Sequence, residues 1–291
     1  MTVTNKGRAH WFYLAPALLL LGVFLVYPSA ETIRLSFYGP RSDVFVGVQN
    51  YLRAFTSAPM LTTFRNNLLW MAVFTLFTVG MGLLLAVILD RVRYETLIKS
   101  VIFLPMAISY VAAGVIWRFV YAFRPAVAPQ IGLLNAIIVG MGGQPVWLLI
   151  QRPWLNNLAL IAVGVWVWTG FCMVILSAAY KGIPREMQEA ARIDGANEWQ
   201  VFRCVTIPFL KSTLAMITTT MIVFVLKMFD IVYIMTNGAY DTDVIANRMY
   251  NEMFQFNNYG TASAIAVILF LAIVPFIVLN VRRFRAQEAV R

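Results

Sequence analysis

The feature that most constrains this chain is a series of long uncharged apolar runs: Trp11–Ala30, Asn66–Leu89, Ser100–Trp117, Pro153–Tyr180 and Met253–Val281. A sixth, Ser212–Leu226, continues through Lys227 and Asp230 to Met235. A helix rises about 1.5 Å per residue, so about 20 residues cross the hydrocarbon core of a bilayer. Each run is long enough, or nearly so. Composition agrees: 60% of residues are hydrophobic and 12% charged, against roughly 45–50% and about 25% in soluble domains. The runs predict an all-α, polytopic membrane protein with six spanning helices. The first run follows Lys6 and Arg8 and precedes Pro28-Ser29-Ala30, as a secretory signal would. Signal apolar regions are about 7–15 residues, so this longer run is read as a retained helix.

The formal net charge is +10, and its distribution explains it without a nucleic-acid partner. Lys and Arg stay on the cytoplasmic side of short loops. With the N-terminus inside, that side holds Lys6, Arg8, Arg91, Arg93 and Lys99. It also holds Lys181, Arg185, Arg192, Arg203, Lys211, Arg282, Arg283, Arg285 and Arg291. Both termini are therefore expected in the cytoplasm. Cys172 and Cys204 lie on different elements, so no disulfide framework is legible. The single histidine, His10, precedes the first run, which disfavours a zinc site or a Ser–His dyad at membrane depth.

No repeat or linker divides the chain. Residues 1–63 read as an N-terminal segment, a first helix and an outer loop, and residues 64–291 as the core. Pro105 should kink the third helix, and Pro208 should break the chain before the fifth. Lys227 and Asp230 stand at i, i+3 spacing on the fifth helix, close enough to pair. Charges there face a cavity or a partner, or form a structural pair at the membrane boundary.

The loop from Lys181 to Lys211 has an unusually complete local grammar. Pro184 suits a helix's first turn, Glu186 and Glu189 its N-terminal half, and Gly195 a C′ position. Asn197 is a good N-cap for a second short helix ending near Cys204. The product is two short helices with a fixed bend, presenting Met187, Ala190 and Ala191 on one face. A surface hairpin that binds nothing would share this grammar.

The loop resembles the EAA motif of ABC-importer permeases, in its sugar-permease form. Glu189-Ala190-Ala191 is followed by Gly195, then Val205, Ile207 and Pro208, with Asp194-Gly195-Ala196 in the sugar-permease pattern. Val205 and Ile207 stand where Ile and Leu are commoner. Further on, Phe229-Asp230-Ile231-Val232-Tyr233, Thr236 and Asn237-Gly238 resemble the maltose-permease type. Gly238-Ala239-Tyr240-Asp241 departs from the usual Gly-Gly-Pro. With Asn247-Arg248-Met249-Tyr250 and Arg283-Phe284-Arg285-Ala286-Gln287-Glu288-Ala289, it looks like the α-glucoside branch.

The resemblance implies a type I ABC-importer permease, a six-helix bundle with a cytoplasmic coupling helix in a prokaryotic plasma membrane. Its coupling residues would be Glu189, Ala190, Ala191, Asp194, Gly195 and Pro208. It implies two separate ATPase subunits carrying ATP and Mg, a second, non-identical permease, and an extracytoplasmic sugar-binding protein. No GxxxxGK[ST] phosphate loop occurs, so ATP hydrolysis by this chain itself is not expected. No cofactor or metal is expected here either. A sugar path between the fourth and fifth helices would use Gly164, Trp168 and Phe171 on one and Thr220, Phe224, Lys227 and Met228 on the other. Aromatics at helical spacing also arise from packing alone. The runner-up, an ion-driven transporter, would want several acidic or His residues within the spans.

Overall fold

The computed structural model describes residues 6–90, 92–149 and 153–288, with backbone alone at 6–12, 153 and 283–288. Arg91, Ala289 and Arg291, assigned above to a loop and a tail, lie outside the described residues. Among the described residues every regular element is helical. Five helices are long and apolar enough to cross a membrane, or six if one bent pair is a single span. The chain divides into two compact units, residues 1–60 with 248–271 and residues 61–247 with 272–291.

In the first unit, α1 (Lys6–Leu21) and α2 (Tyr27–Leu35) are joined without interruption by a π-helical turn, Gly22–Val26. A loop then leads to α3 (Gln49–Thr56), and buried Asn50 holds that loop by donating to the Ser36 and Tyr38 carbonyls at 2.9 and 2.7 Å. The last apolar run does not form one helix. α13 (Ile245–Phe254) stops at Gln255 and α14 (Tyr259–Glu288) starts afresh. Polar residues make the stop: Gln255 and Phe256 both donate to the Asn251 carbonyl, and Asn257 takes a left-handed φ of 51°.

The second unit contains α4 (Ala58–Leu89), α5 (Glu95–Phe103), α6 (Tyr110–Val120), α7 (Leu133–Gly140) and α8 (Pro153–Lys181). It continues through α9 (Arg185–Ile193), α10 (Glu198–Val201), α11 (Ile207–Leu226) and α12 (Asp230–Met235). α8 is its strut, packing against α5, α6, α11 and α12. Lipid is as apolar as leucine, so helices associate through close packing rather than through escape from water. α8 meets that demand with small residues. A Cβ on Gly170 would lie 2.5 Å from the Ile102 carbonyl oxygen and 2.6 Å from Phe103 Cα on α5.

The prolines behave differently from the sequence reading. Pro208 does not break the chain: helix runs from Glu198 to Leu226. A π-helical turn, Phe202–Thr206, precedes it, and Ile207 donates to the Phe202 carbonyl. Proline lacks an N–H and its ring crowds the carbonyl four residues back. Shifting the preceding bond to i−5 accommodates both. Pro28 follows Gly22–Val26 in the same way, with Tyr27 donating to Gly22. Pro105, by contrast, does more than kink. It lies in a 3₁₀ turn, Leu104–Ala107, after which the axis turns by 100° into α6, whose N-cap Ser109 accepts from the Ala112 amide at 3.2 Å.

The fifth span is also interrupted. α11 ends at Leu226, Lys227 caps it, and α12 begins only at Asp230 after Phe229 at φ −135°. Lys227 and Asp230 therefore do not share one helix, and they are not among the ion pairs of the described residues. Substituting Gly170 by Val should force α5 and α8 apart and destabilise the protein by about 1–3 kcal/mol. A lowered melting temperature of the detergent-solubilised protein checks this, with Gly140→Ala, whose new Cβ meets nothing within 4 Å, as the control.

Candidate functional site

The α9–α10 elbow is built much as the residues predict. Pro184 caps α9, and Asp194 closes it. Gly195 takes φ +87°, a conformation that costs an L side chain about 1–2 kcal/mol. Its amide donates to the Arg192 carbonyl at 3.1 Å, and the Ala196 amide to the Ala191 carbonyl at 3.0 Å. That pair of bonds is a Schellman stop, satisfying carbonyls the helix leaves open. Asn197 then forms a capping box with Gln200. Across the bend the Arg192 guanidinium donates to both carboxylate oxygens of Glu198, at 2.7 and 3.3 Å. That carboxylate holds the guanidinium's pKa above its ordinary value. Three restraints, the Schellman stop, the capping box and the Arg192–Glu198 pair, thus fix the angle between two short helices.

The elbow displays its motif residues. Glu189, Ala190, Asp194 and Gly195 are exposed and Ala191 is half-buried. The apolar side chains around them are equally open: Met187 is 48% exposed, Ile193 86% and Trp199 67%. Ile193 and Trp199 were not singled out from the sequence, although two large apolar residues flanking a charged bend were a legible signal. Pro208 lies apart from this surface, on α11 beyond the π turn.

Beside the elbow is a polar cleft of about 720 Å³, lined by Asp90, Glu95, Tyr180, Lys181, Arg185, Gln188, Glu189, Arg192 and Glu198, with Ile183. Glu95, on the first turn of α5, accepts from Lys99 and from Lys181 at 2.8 Å. Lys99 also donates to Ser177 on α8. α5 is thereby tied to the end of α8 from which α9 departs.

At the far end of α11 the structure gathers an aromatic cluster. Trp168 lies 4.2 Å from Phe224 and 5.4 Å from Phe171, centroid to centroid. Tyr110 stacks on Trp168 at 6.4 Å and meets Phe224 at 5.8 Å. Phe74 reaches Phe224 at 6.1 Å, and Trp70 adjoins Phe74. Gly164 belongs to the cluster because its Cα faces the Phe74 ring, where a Cβ would lie 3.0 Å away.

Gly164, Trp168, Phe171 and Phe224 are therefore brought together. Thr220 is half-buried on α11, and its hydroxyl donates back to the Met216 carbonyl at 2.9 Å. Lys227 and Met228 do not share a face with Phe224 as the spacing predicts, because α11 has ended: Lys227 is exposed while Met228 is 3% exposed. Tyr110, Phe74 and Trp70 are cluster residues the sequence reading missed. Ser109, a good N-cap after Pro105, was the available sign that a new helix starts there and aims its first residue inward.

A family model described as "Binding-protein-dependent transport system inner membrane component" matches residues 78–286. The chain belongs to this family. It is accordingly a multi-pass transport permease subunit, as the coupling motif implied. Among its relatives, "Osmoprotective compounds uptake permease protein GgtC" of Synechocystis sp. is 57% identical, covering 96% of this chain and 100% of that protein. "Alpha-glucoside transport system permease protein AglF" of Rhizobium meliloti is 44% identical over 97% of this chain and 84% of its own length. The family fold recurs in a solved bacterial alginate ABC transporter in complex with an alginate pentasaccharide-bound periplasmic protein. The match has a TM-score of 0.81 and 22% identity, covering 95% of this chain and 93% of that one.

Trp168→Ala should remove the ring that joins α8 to both α6 and α11, at a cost of about 3–5 kcal/mol. Phe171→Ala, at a half-buried position, should cost less. Thermal unfolding of the two variants in the same detergent checks the order.

Proposed function

We propose that this permease subunit works in an ATP-driven importer and passes a neutral di- or oligosaccharide, such as an α-glucoside, into the cytoplasm. The observation that carries this reading is the rigid α9–α10 elbow, continuous with the helix that ends at the aromatic cluster. A lever must be stiff at the point where force enters, and the Schellman stop, capping box and Arg192–Glu198 pair supply that stiffness. ATP and Mg reside on two separate ATPase subunits, each with a cleft that receives a coupling helix. Here Glu189 meets a basic group, Ala190 and Ala191 set the contact distance, and Asp194, Gly195 and Pro208 fix the direction of the lever.

The cargo side of the reading rests on chemistry. Flat ring faces suit the C–H surfaces of a sugar, and Trp168, Phe171, Phe224 and Tyr110 carry no charge that would select an acidic one. Thr220 borders the same route, with Gly164 setting how closely α4 approaches α8. A relative named for α-glucoside transport supports a saccharide cargo. Residues 64–291 form the core permease domain, paired with a second, non-identical permease to enclose the path. An extracytoplasmic binding protein delivers the sugar. The setting is a prokaryotic plasma membrane with both termini cytoplasmic.

Purification of the solubilised chain from its native membrane should recover an ATPase, a second permease and a solute-binding protein. Glu189→Lys or Gly195→Pro should abolish sugar uptake while the binding protein still captures sugar. Uptake equal to wild type in both variants would remove the coupling role.

A further inference from the structure

The connection between α6 and α8 is built inside out for a segment in water. From Pro125 to Leu149 it holds no charged residue. Its amide side chains, Gln144 excepted, are turned onto their own loop. Asn135 on α7 is fully buried, and its amide donates to the Ala122 and Val146 carbonyls at 3.0 and 3.1 Å. The Asn135 oxygen accepts from the Val146 amide at 2.8 Å. Gln130 accepts from the Arg124 amide at 3.1 Å and donates to the Arg124 carbonyl at 2.8 Å.

The apolar side chains face the other way. Val127 is 96% exposed and Met141 83%, and Ile131, Leu133 and Ile137 are each more than half exposed. A loop in water does the reverse, leaving its amides to the solvent and covering its large apolar groups. Backbone in lipid must be satisfied by protein, because no water is available there. Inward amides and outward aliphatic groups therefore call for the same apolar surroundings.

Position agrees with polarity. The connection enters α8 at the end away from the elbow, and so lies at a boundary of the membrane. α7 packs against α6, whose Val115, Ile116 and Phe119 are exposed along a spanning segment. The open face of α7 thus extends an apolar surface that begins on α6. Phe123 and Trp147 stack beside it, with ring centroids 5.0 Å apart and planes 7° from parallel, and Arg124 is exposed next to them. Amphipathic rings and long cationic side chains characterise the headgroup level of a bilayer.

We propose that residues 125–149 are a lipid anchor, a loop and short helix lying in the bilayer interface at the boundary opposite the elbow. Val127, Ile131, Leu133, Ile137 and Met141 sit among phospholipid acyl chains. A hydrated protein surface is a poor occupant, since the segment offers it no charge to read. The anchor steadies the far end of α6, the restarted half-span whose first residue, Tyr110, joins the aromatic cluster. It does not depend on what the protein carries.

The test uses the full chain in lipid nanodiscs, purified with whatever subunits accompany it. A nitrobenzoxadiazole label is placed at single cysteines on a Cys204→Ser background, Cys172 being buried. Ile137→Cys and Met141→Cys, both at exposed positions, report on the anchor, and Arg41→Cys, in an exposed loop of the first unit, reports on water. The two anchor labels should be quenched by phospholipids carrying a nitroxide on the acyl chain, at a depth of about 5–10 Å into the headgroup and acyl boundary. Aqueous iodide should quench them far less than the Arg41→Cys label. Quenching of both by iodide but not by nitroxide lipid overturns the anchor, because the segment is then hydrated. Protection from both quenchers overturns it in favour of cover by a second permease. None of these signals needs sugar or ATP, so failure to recover an ATPase would count against the importer reading and leave the anchor standing.

Discussion

A backbone amide in hydrocarbon has no water to fall back on, so every irregularity in a spanning helix must be answered by another protein group. The answers in this chain are local and specific. Two prolines are each preceded by a π turn that moves one hydrogen bond to i−5. The turn at Pro105 hands over to a helix capped by Ser109. The second halves of the two interrupted spans, α6 and α12, then pack on one another so closely that a Cβ on Gly114 would lie 3.1 Å from Ile234. Arg118 on α6 donates to the Ile234 carbonyl at 3.2 Å, a group that α12 is too short to satisfy by itself.

This arrangement sets where the aromatic cluster forms. Tyr110 is the first residue of the restarted α6, and Phe224 stands just before the end of α11. Both rings meet Trp168 on α8, so the cluster lies where two spans are interrupted beside one that is not. Interrupted helices recur at substrate sites in transporters because irregular backbone is tolerated only where protein or a water-filled cavity surrounds it. The elbow lies at the other end of the same helical segment. Glu198–Leu226 is 29 residues, about 43 Å at 1.5 Å per residue. α8 provides a parallel link, with its close glycine contact to α5 and the Glu95–Lys181 pair at its end.

Much of this was legible in residue order. Apolar runs located the spans, because a lipid-crossing helix satisfies its own backbone and needs only length and apolarity. The elbow was equally legible, since Pro184, Gly195 and Asn197 act on residues within a turn of themselves. Trp168, Phe171 and Phe224 were reachable from helical spacing. Lys227 and Met228 were misplaced because the same spacing was carried past a break that no proline marks.

The sequence by itself thus determined the all-α membrane architecture, the family and the shape of the α9–α10 elbow, all of which depend on local chemistry or composition. Only the tertiary structure decided whether a proline bends or is absorbed, which rings meet, and that four asparagines on α4 and α8, Asn66, Asn67, Asn156 and Asn157, close on one loop. Those outcomes depend on groups far apart in the chain. Asn66 and Asp241 are separated by 175 positions, and nothing local to either residue encodes the other.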